Sequence, residues 1–330
     1  MSCRPKQLLL TEIVAAVVSI SFVNAQVPQS NGSNIDQDVY TISDHVDLVL
    51  LDASVKEPGG GYVTGLHRSN FRVYEDGNLR QITQFSSVDA PVTIGLVVDN
   101  SGSMRSKRPY VVMAGLSFEK QSNPRDEFFV VNFNNYIQCG LPPQTPFTDK
   151  LSQLRMALYY GAPEGQTALY DAVAYAIKHL ELGHREKRTL VVVSDGRDNV
   201  SKLSFPNLVQ IIEASRATIY TIGVYDKDDL DANPDVLRKM AHISGGEFFA
   251  PQKLDDVLPI FNQISADIRN RYTIGYTPDE VNDKRTIRTV KLTATMDGQK
   301  LRVRTRTSYT TAPLSRLLAE IPRAESPQAR

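Results

Sequence analysis

Hydrophobic and polar positions change rhythm twice along the chain. From 46 to 85 they fall in short strand-like runs: 46–55 is rich in β-formers, Pro58-Gly59-Gly60-Gly61 breaks it, and 71–75 alternates. Asp76-Gly77 then supplies a hairpin turn before 79–85 returns. From Val92 onward, continuous apolar runs at 92–98, 128–133, 189–193 and 218–224 read as strands buried on both faces. A short strand at 246–250 and an edge partner at 136–141 join them. Helical stretches separate these strands at 110–121, 149–160, 167–182, 208–215, 234–243 and 256–269, and Pro259 in the last is tolerated within the first turn. After Asn270 the strand rhythm resumes at 272–276, and 286–296 and 300–307 flank a second hairpin turn, Asp297-Gly298.

Strands alternating with helices predict an α/β fold with a doubly wound, mostly parallel sheet flanked by helices, spanning 91–269. The β segments on either side, 44–90 and 270–312, are each too small to be stable alone. We expect them to pair into one small β-sandwich with the α/β block inserted between them, the alternative being two separate modules. Residues 313–330 read as a flexible tail.

The N-terminus has the form of a targeting segment. Arg4 and Lys6 precede an apolar stretch, interrupted by Glu12, that ends at Val23-Asn24-Ala25. Residues 1–25 are thus expected to be a signal peptide and 26–43 a polar linker, which places the protein outside the cytoplasm, periplasmic or secreted. A retained membrane anchor is the competing reading. Composition adds little: 41% hydrophobic and 22% charged residues suit a folded chain. Lysine plus arginine equals aspartate plus glutamate at 37 each, so no bulk charge points to nucleic acid. Cleavage would remove Cys3 and leave Cys139 alone, a half-buried small hydrophobe in a strand-like run.

Ligands of open α/β sheets bind beyond the carboxyl ends of the strands. There the sequence places Asp99-Asn100-Ser101-Gly102-Ser103-Met104 after one buried strand and Ser194-Asp195-Gly196 after another, with Gly165-Gln166-Thr167 opening a helix between them. These junctions offer only hard oxygen donors, which suit Mg²⁺ first, or Mn²⁺ or Ca²⁺, and argue against zinc or copper. In Asp99-x-Ser101-x-Ser103 alternate residues can turn to one side, and Thr167 and Asp195 would close the ring. Individually, Ser101 and Thr167 also read as helix N-caps and Asp195-Gly196 as a turn. Asp171 reads as a cap of its own helix or a support of the site, Asp198 and Asn199 as rim residues. Arg105, Lys107 and Arg108 read as a solvated helix start, with steering of an acidic partner as the alternative.

Asp99-x-Ser101-x-Ser103, Thr167 and Asp195-Gly196 together resemble the metal-ion-dependent adhesion site (MIDAS) of von Willebrand factor A (VWA) domains, over 91–269 and without substitution at the five positions. Phe71-Arg72-Val73-Tyr74-Glu75-Asp76-Gly77 and Tyr272-Thr273-Ile274-Gly275-Tyr276-Thr277-Pro278 further resemble exported bacterial proteins related to that family. The resemblance implies a metal held directly by Ser101, Ser103 and Thr167, and partly through water by Asp99 and Asp195, with a partner's Asp or Glu in the last place. It also implies that the helix at 256–269 shifts when the site fills. That helix leads straight into 272–276, so a shift would be passed to the β module. The expected function is adhesion-type protein binding, without catalysis. A cell-envelope scaffold with an idle metal site is the alternative, and a phosphohydrolase a weaker one. An aspartyl nucleophile at the end of a strand needs an acid/base two residues on, and Ser101 cannot serve. There is no Gly-x-Ser-x-Gly elbow and no phosphate loop.

Overall fold

The computed structural model describes residues 48–225, 229–278, 286–319 and 321. The expected signal peptide, the linker and the end of the expected tail lie outside these residues. Four strands come first: β1 (Val49–Lys56), β2 (Phe71–Glu75), β3 (Asn78–Arg80) and β4 (Ile82–Ser86). The alternating block follows with β5 (Val92–Asp99), α1 (Arg108–Lys120), β6 (Glu127–Phe133), β7 (Ile137–Cys139), α2 (Leu151–Tyr159) and α3 (Leu169–Leu180). It continues through β8 (Lys187–Ser194), α4 (Phe205–Ala214), β9 (Thr218–Gly223), α5 (Pro234–Ser244), β10 (Phe248–Phe249) and α6 (Val257–Arg269). The chain then forms β11 (Arg271–Tyr276), β12 (Ile287–Met296), β13 (Gln299–Lys300), β14 (Arg302–Arg304), β15 (Ser308–Thr310) and α7 (Leu314–Leu318).

The central sheet runs β10-β9-β8-β5-β6-β7 and is parallel except for β7. Every residue of β5, β6 and β9 is buried, because α1, α2 and α6 pack together, as do α3, α4 and α5, to cover the sheet. Their runs are therefore apolar without alternation. In the middle of β5, Gly95 leaves room for a neighbouring ring: a Cβ there would lie 2.3 Å from Phe129 Cζ. Local chemistry sets the helix ends. In α5, Pro234 starts the first turn and Gly245, at φ +81°, ends the helix in the left-handed conformation.

The flanking strands build two further sheets, β14-β1-β11-β4 and β13-β12-β2-β3, with β15 beside β12. Each sheet mixes strands from before and after the α/β block: Leu51 stands opposite Ile274, and Val73 opposite Leu292. The apolar faces share one core of Leu51, Phe71, Val73, Tyr272, Ile274 and Leu292. This is the expected sandwich with an inserted domain. Both Asp-Gly hairpins form with positive φ at each central residue, +48° and +84° in the first and +50° and +80° in the second. The returning strands are not continuous as the alternation predicts. After each hairpin a short piece stays with its partner (β3 with β2, β13 with β12), and the next crosses to the other sheet (β4 to β11, β14 to β1). Strands that switch sheets close the corners of a sandwich.

Where the inserted block begins and ends, charge ties it to the sandwich. Arg269 pairs with Asp89 at 2.8 Å and with Asp126 at 3.0 Å, and Asp126 also accepts from Val92 N. Deeper in, Asp267 of α6 is 1% exposed and accepts from Tyr220 of β9 and from Arg271, and pairs with Arg304 at 2.8 Å. Arg271 also donates to Gly245 O and Thr218 Oγ1.

The tail requires a correction. Where flexibility was expected from 313, Leu314–Leu318 is helical, and Leu318 and Ile321 are buried in the core of the α/β block. Leu314, Leu317, Leu318 and Ile321 form an apolar stripe at helical spacing.

Burial alone would raise the Asp267 carboxyl, but Arg271 and Arg304 beside it hold it well below the usual carboxylate range. A depressed folded value contributes stability that is complete above the unfolded value near ~3.9 and is lost as pH falls below it. We predict that Asp267→Asn lowers unfolding free energy by about 3 kcal/mol, because it leaves the buried Arg271 guanidinium without its carboxylate, while Arg304 keeps Glu247 as a partner. Urea titrations from neutral to acid pH should show the variant losing less stability than the wild type below about pH 4.

Candidate metal site

The site forms where β5 and β8 end side by side. Parallel register sets Val98 opposite Val193, so Asp99 and Ser194 come next on neighbouring strands. Ser194 Oγ donates to Asp99 Oδ2 at 2.7 Å, and the Ser101 backbone N–H donates to Asp99 Oδ1 at 2.8 Å. Ser103 Oγ donates to Asp195 Oδ2 at 2.8 Å and lies 3.2 Å from Ser101 Oγ. The second oxygen of Asp195 accepts from Arg197 N, and Gly196 N donates to Ser194 Oγ. Asp99, Ser101, Ser103 and Asp195 thus share one network of side chains.

The loop that carries Thr167 is held beside this network by backbone bonds of its neighbours. Gly102 N donates to Gly165 O at 3.2 Å and Glu164 N to Asn100 O at 2.9 Å, which lays the loop before α3 against the loop after β5. On its other side Thr167 N donates to Asn199 Oδ1, while Asn199 N and Val200 N donate to Thr167 O. Thr167 is 2% exposed. The N-cap readings fall away: Ser101 precedes a short 3₁₀ turn without capping it, and Ala168 is the residue that precedes α3.

Two fully buried carboxylates therefore lie close together at Asp99 and Asp195, each 0% exposed. Neither has an ion-pair partner among the described residues. Burial pushes the Asp99 carboxyl up to about 6; Asp195 adds to the rise, and the bonds from Ser101 and Ser194 oppose it. Arg197 is close in sequence but pairs instead with Asp229 at 2.7 Å and Asp231 at 3.6 Å. The donors left to meet a ligand are carboxylate and hydroxyl oxygens. Among the described residues no group of three or more His, Cys, Asp or Glu is placed to hold a metal, so any ion here must rely on the hydroxyls as well. Excess negative charge with only hard donors fits a hard divalent cation.

The neighbouring residues take supporting roles. Asp171 accepts from Lys202 N and Leu203 N, and Asp198 from Tyr170 N and Ser201 Oγ, so both fix loops. The basic run is not a solvated helix start at Lys107 and Arg108, which are only 3% and 6% exposed. Lys107 Nζ donates to Val224 O, and Arg108 donates to Leu158 O and Tyr160 O at the end of α2. Both side chains reach strand and helix ends far along the chain and pin them. Arg105 stays exposed and donates to Pro163 O. Ser194 stands in the sequence within the junction before Asp195, with no role of its own assigned there; its signal is its place as the last residue of a buried strand.

Comparison with known proteins gives one family match: a model described as von Willebrand factor type A domain covers residues 93–264. No curated protein matches the chain. Similar solved structures include the von Willebrand factor domain of the type V pili tip protein Mfa5 from Porphyromonas gingivalis, at 14% identity and TM-score 0.44, covering 55% of this chain and 96% of that one. A von Willebrand factor type A protein from Catenulispora acidiphila shares 14% identity at TM-score 0.49, covering 80% and 73%. An aerotolerance-related membrane protein from Bacteroides fragilis, carrying multiple mutations to serine, shares 14% identity at TM-score 0.42, covering 53% and 98%.

Gly196 offers a test of how tightly the site is built. Its φ is +82°, and a Cβ there would lie 2.2 Å from Asn233 O. Gly77 has a similar φ of +84° but open space around it. Gly196→Ala should cost about 2 kcal/mol or more, and Gly77→Ala about 1 kcal/mol, in urea unfolding.

Proposed function

This chain belongs to the von Willebrand factor type A domain family, whose model spans residues 93–264, and we propose that it is a metal-dependent protein-binding module. The observation that carries this reading is the pair of buried carboxylates, Asp99 and Asp195, joined to Ser101 and Ser103 with no counter-charge among the described residues. In this reading Ser101, Ser103 and Thr167 hold a divalent cation directly. Asp99 and Asp195 hold it partly through water. Mg²⁺ suits the donors best, with Mn²⁺ or Ca²⁺ as substitutes.

A cation so held supplies an electrophilic point for a carboxylate from outside. Two carboxylates neutralise a divalent charge on paper, but those that act through water leave it only partly screened. An Asp or Glu of a partner protein then completes the coordination. The chain's own contribution is to orient donors: Ser194 and the Ser101 N–H fix the two oxygens of Asp99, and Arg197 N fixes one of Asp195. No nucleic acid is implied. The reading places the protein outside the cytoplasm; no helix among the described residues is long and apolar enough to cross a membrane.

Calorimetry with Mg²⁺ and Mn²⁺ on the full chain tests this. The wild type should bind one ion, and Asp99→Ala should lose at least about tenfold in affinity, since a buried charged ligand is removed. Capture from an extracytoplasmic fraction should retain a partner that chelator releases. A wild type that takes up neither ion sinks the proposal.

A further inference from the structure

The central sheet ends at β7, a three-residue strand paired with β6. Its register tells which backbone groups are free. Gly140 N donates to Val130 O and Asn134 N to Tyr136 O, while Asn132 stands opposite Gln138. The even-numbered residues of this stretch therefore exchange bonds with β6. The N–H and C=O of Ile137 and Cys139 point away from the sheet.

They open into a groove of about 810 Å³. β7 and the loop after it form one side, α2 contributes Gln153 and Met156, and α3 contributes Tyr175 and His179. No Asp, Glu, Lys or Arg lines it among the described residues. Met156 and Leu182 face it while 66% and 61% exposed, so the groove offers apolar surface to solvent. Charge and proline, two of the devices that blunt edge strands, are absent from the three residues Ile137-Gln138-Cys139. One end of the groove approaches the candidate site: at Gly161, next to Tyr160 of the lining, a Cβ would lie 3.0 Å from both Gln138 Oε1 and Asn100 Nδ2. Asn100 sits between Asp99 and Ser101.

We propose that this groove takes an extended, uncharged, apolar segment of the partner protein as a strand added to β7. Two free N–H and C=O pairs at a two-residue spacing fit an extended backbone and not a helix. A lining without charge fits a segment without charge. The proposal deepens the metal-dependent reading and rests on it for one point, the place of the acidic residue. The added strand would lie three strands from β5, roughly 14 Å at about 4.8 Å per strand. About four extended residues span that distance at about 3.3 Å each. The partner segment thus carries an Asp or Glu, a short spacer, and then an apolar run.

Random peptides displayed on phage, selected on the full chain in Mg²⁺, are the probe. The recovered peptides should carry a carboxylate followed by an uncharged run that alternates apolar residues. Met156→Glu combined with Leu182→Glu, both at exposed positions, should weaken them about tenfold or more while metal uptake is unchanged. N-methylation of alternate amides in the run should weaken them similarly. Peptides lacking such a run, or unchanged affinity in the double variant, overturn the proposal. So does self-association of the chain through this face, or a groove that binds only after residues 1–47 are removed. Binding that ignores chelator but still falls in the double variant refutes the metal reading and leaves strand addition standing.

Discussion

A carboxylate buried without a counter-charge is expensive, and this molecule buries two of them at the ends of adjacent parallel strands. The register of β5 against β8 brings Asp99 and Ser194 to the ends of neighbouring strands, and Asp195 follows Ser194 at once. The surrounding loops are arranged around that fact. Ser194 and the Ser101 N–H hold Asp99, Ser103 and Arg197 N hold Asp195, and Gly196 turns the chain where a side chain would strike Asn233. Thr167 is fixed by bonds to Asn199 and Val200, and Gly165 and Glu164 just before it bond to the loop after β5. Hydrogen bonds lessen the cost of the two charges but do not cancel it. A hard cation would.

The same sheet connects this rim to the rest of the molecule. The inserted block leaves through α6 and passes at once into β11, the strand that holds both β1 and β4. At that junction Asp267 is gripped by Tyr220, Arg271 and Arg304, which come from β9, β11 and β14. Any displacement of α6 therefore has to carry this buried cluster with it or break it.

Much of this was legible in the sequence. Uninterrupted apolar runs gave the strands covered on both faces, the two Asp-Gly pairs gave the hairpins, and the acid and hydroxyl spacing after Val98 and Val193 gave four residues that share one network. What escaped depends on partners distant in the chain. Lys107 and Arg108 look like a solvated helix start until Val224, Leu158 and Tyr160 are brought beside them. The strands after each hairpin look continuous because a change of sheet does not interrupt alternation. The apolar spacing of Leu314, Leu317, Leu318 and Ile321 covers only about two turns, and its meaning emerges once the core that Leu318 and Ile321 enter is formed. The free backbone of β7 appears only once its register with β6 is known.

The most direct examination of the central claim is anomalous scattering from crystals of the protein grown with Mn²⁺. The account predicts a single strong peak at the rim of the sheet, within about 2.0–2.6 Å of the Ser101 and Ser103 hydroxyl oxygens. Peaks confined to other surfaces, or none at all at saturating Mn²⁺, would contradict it.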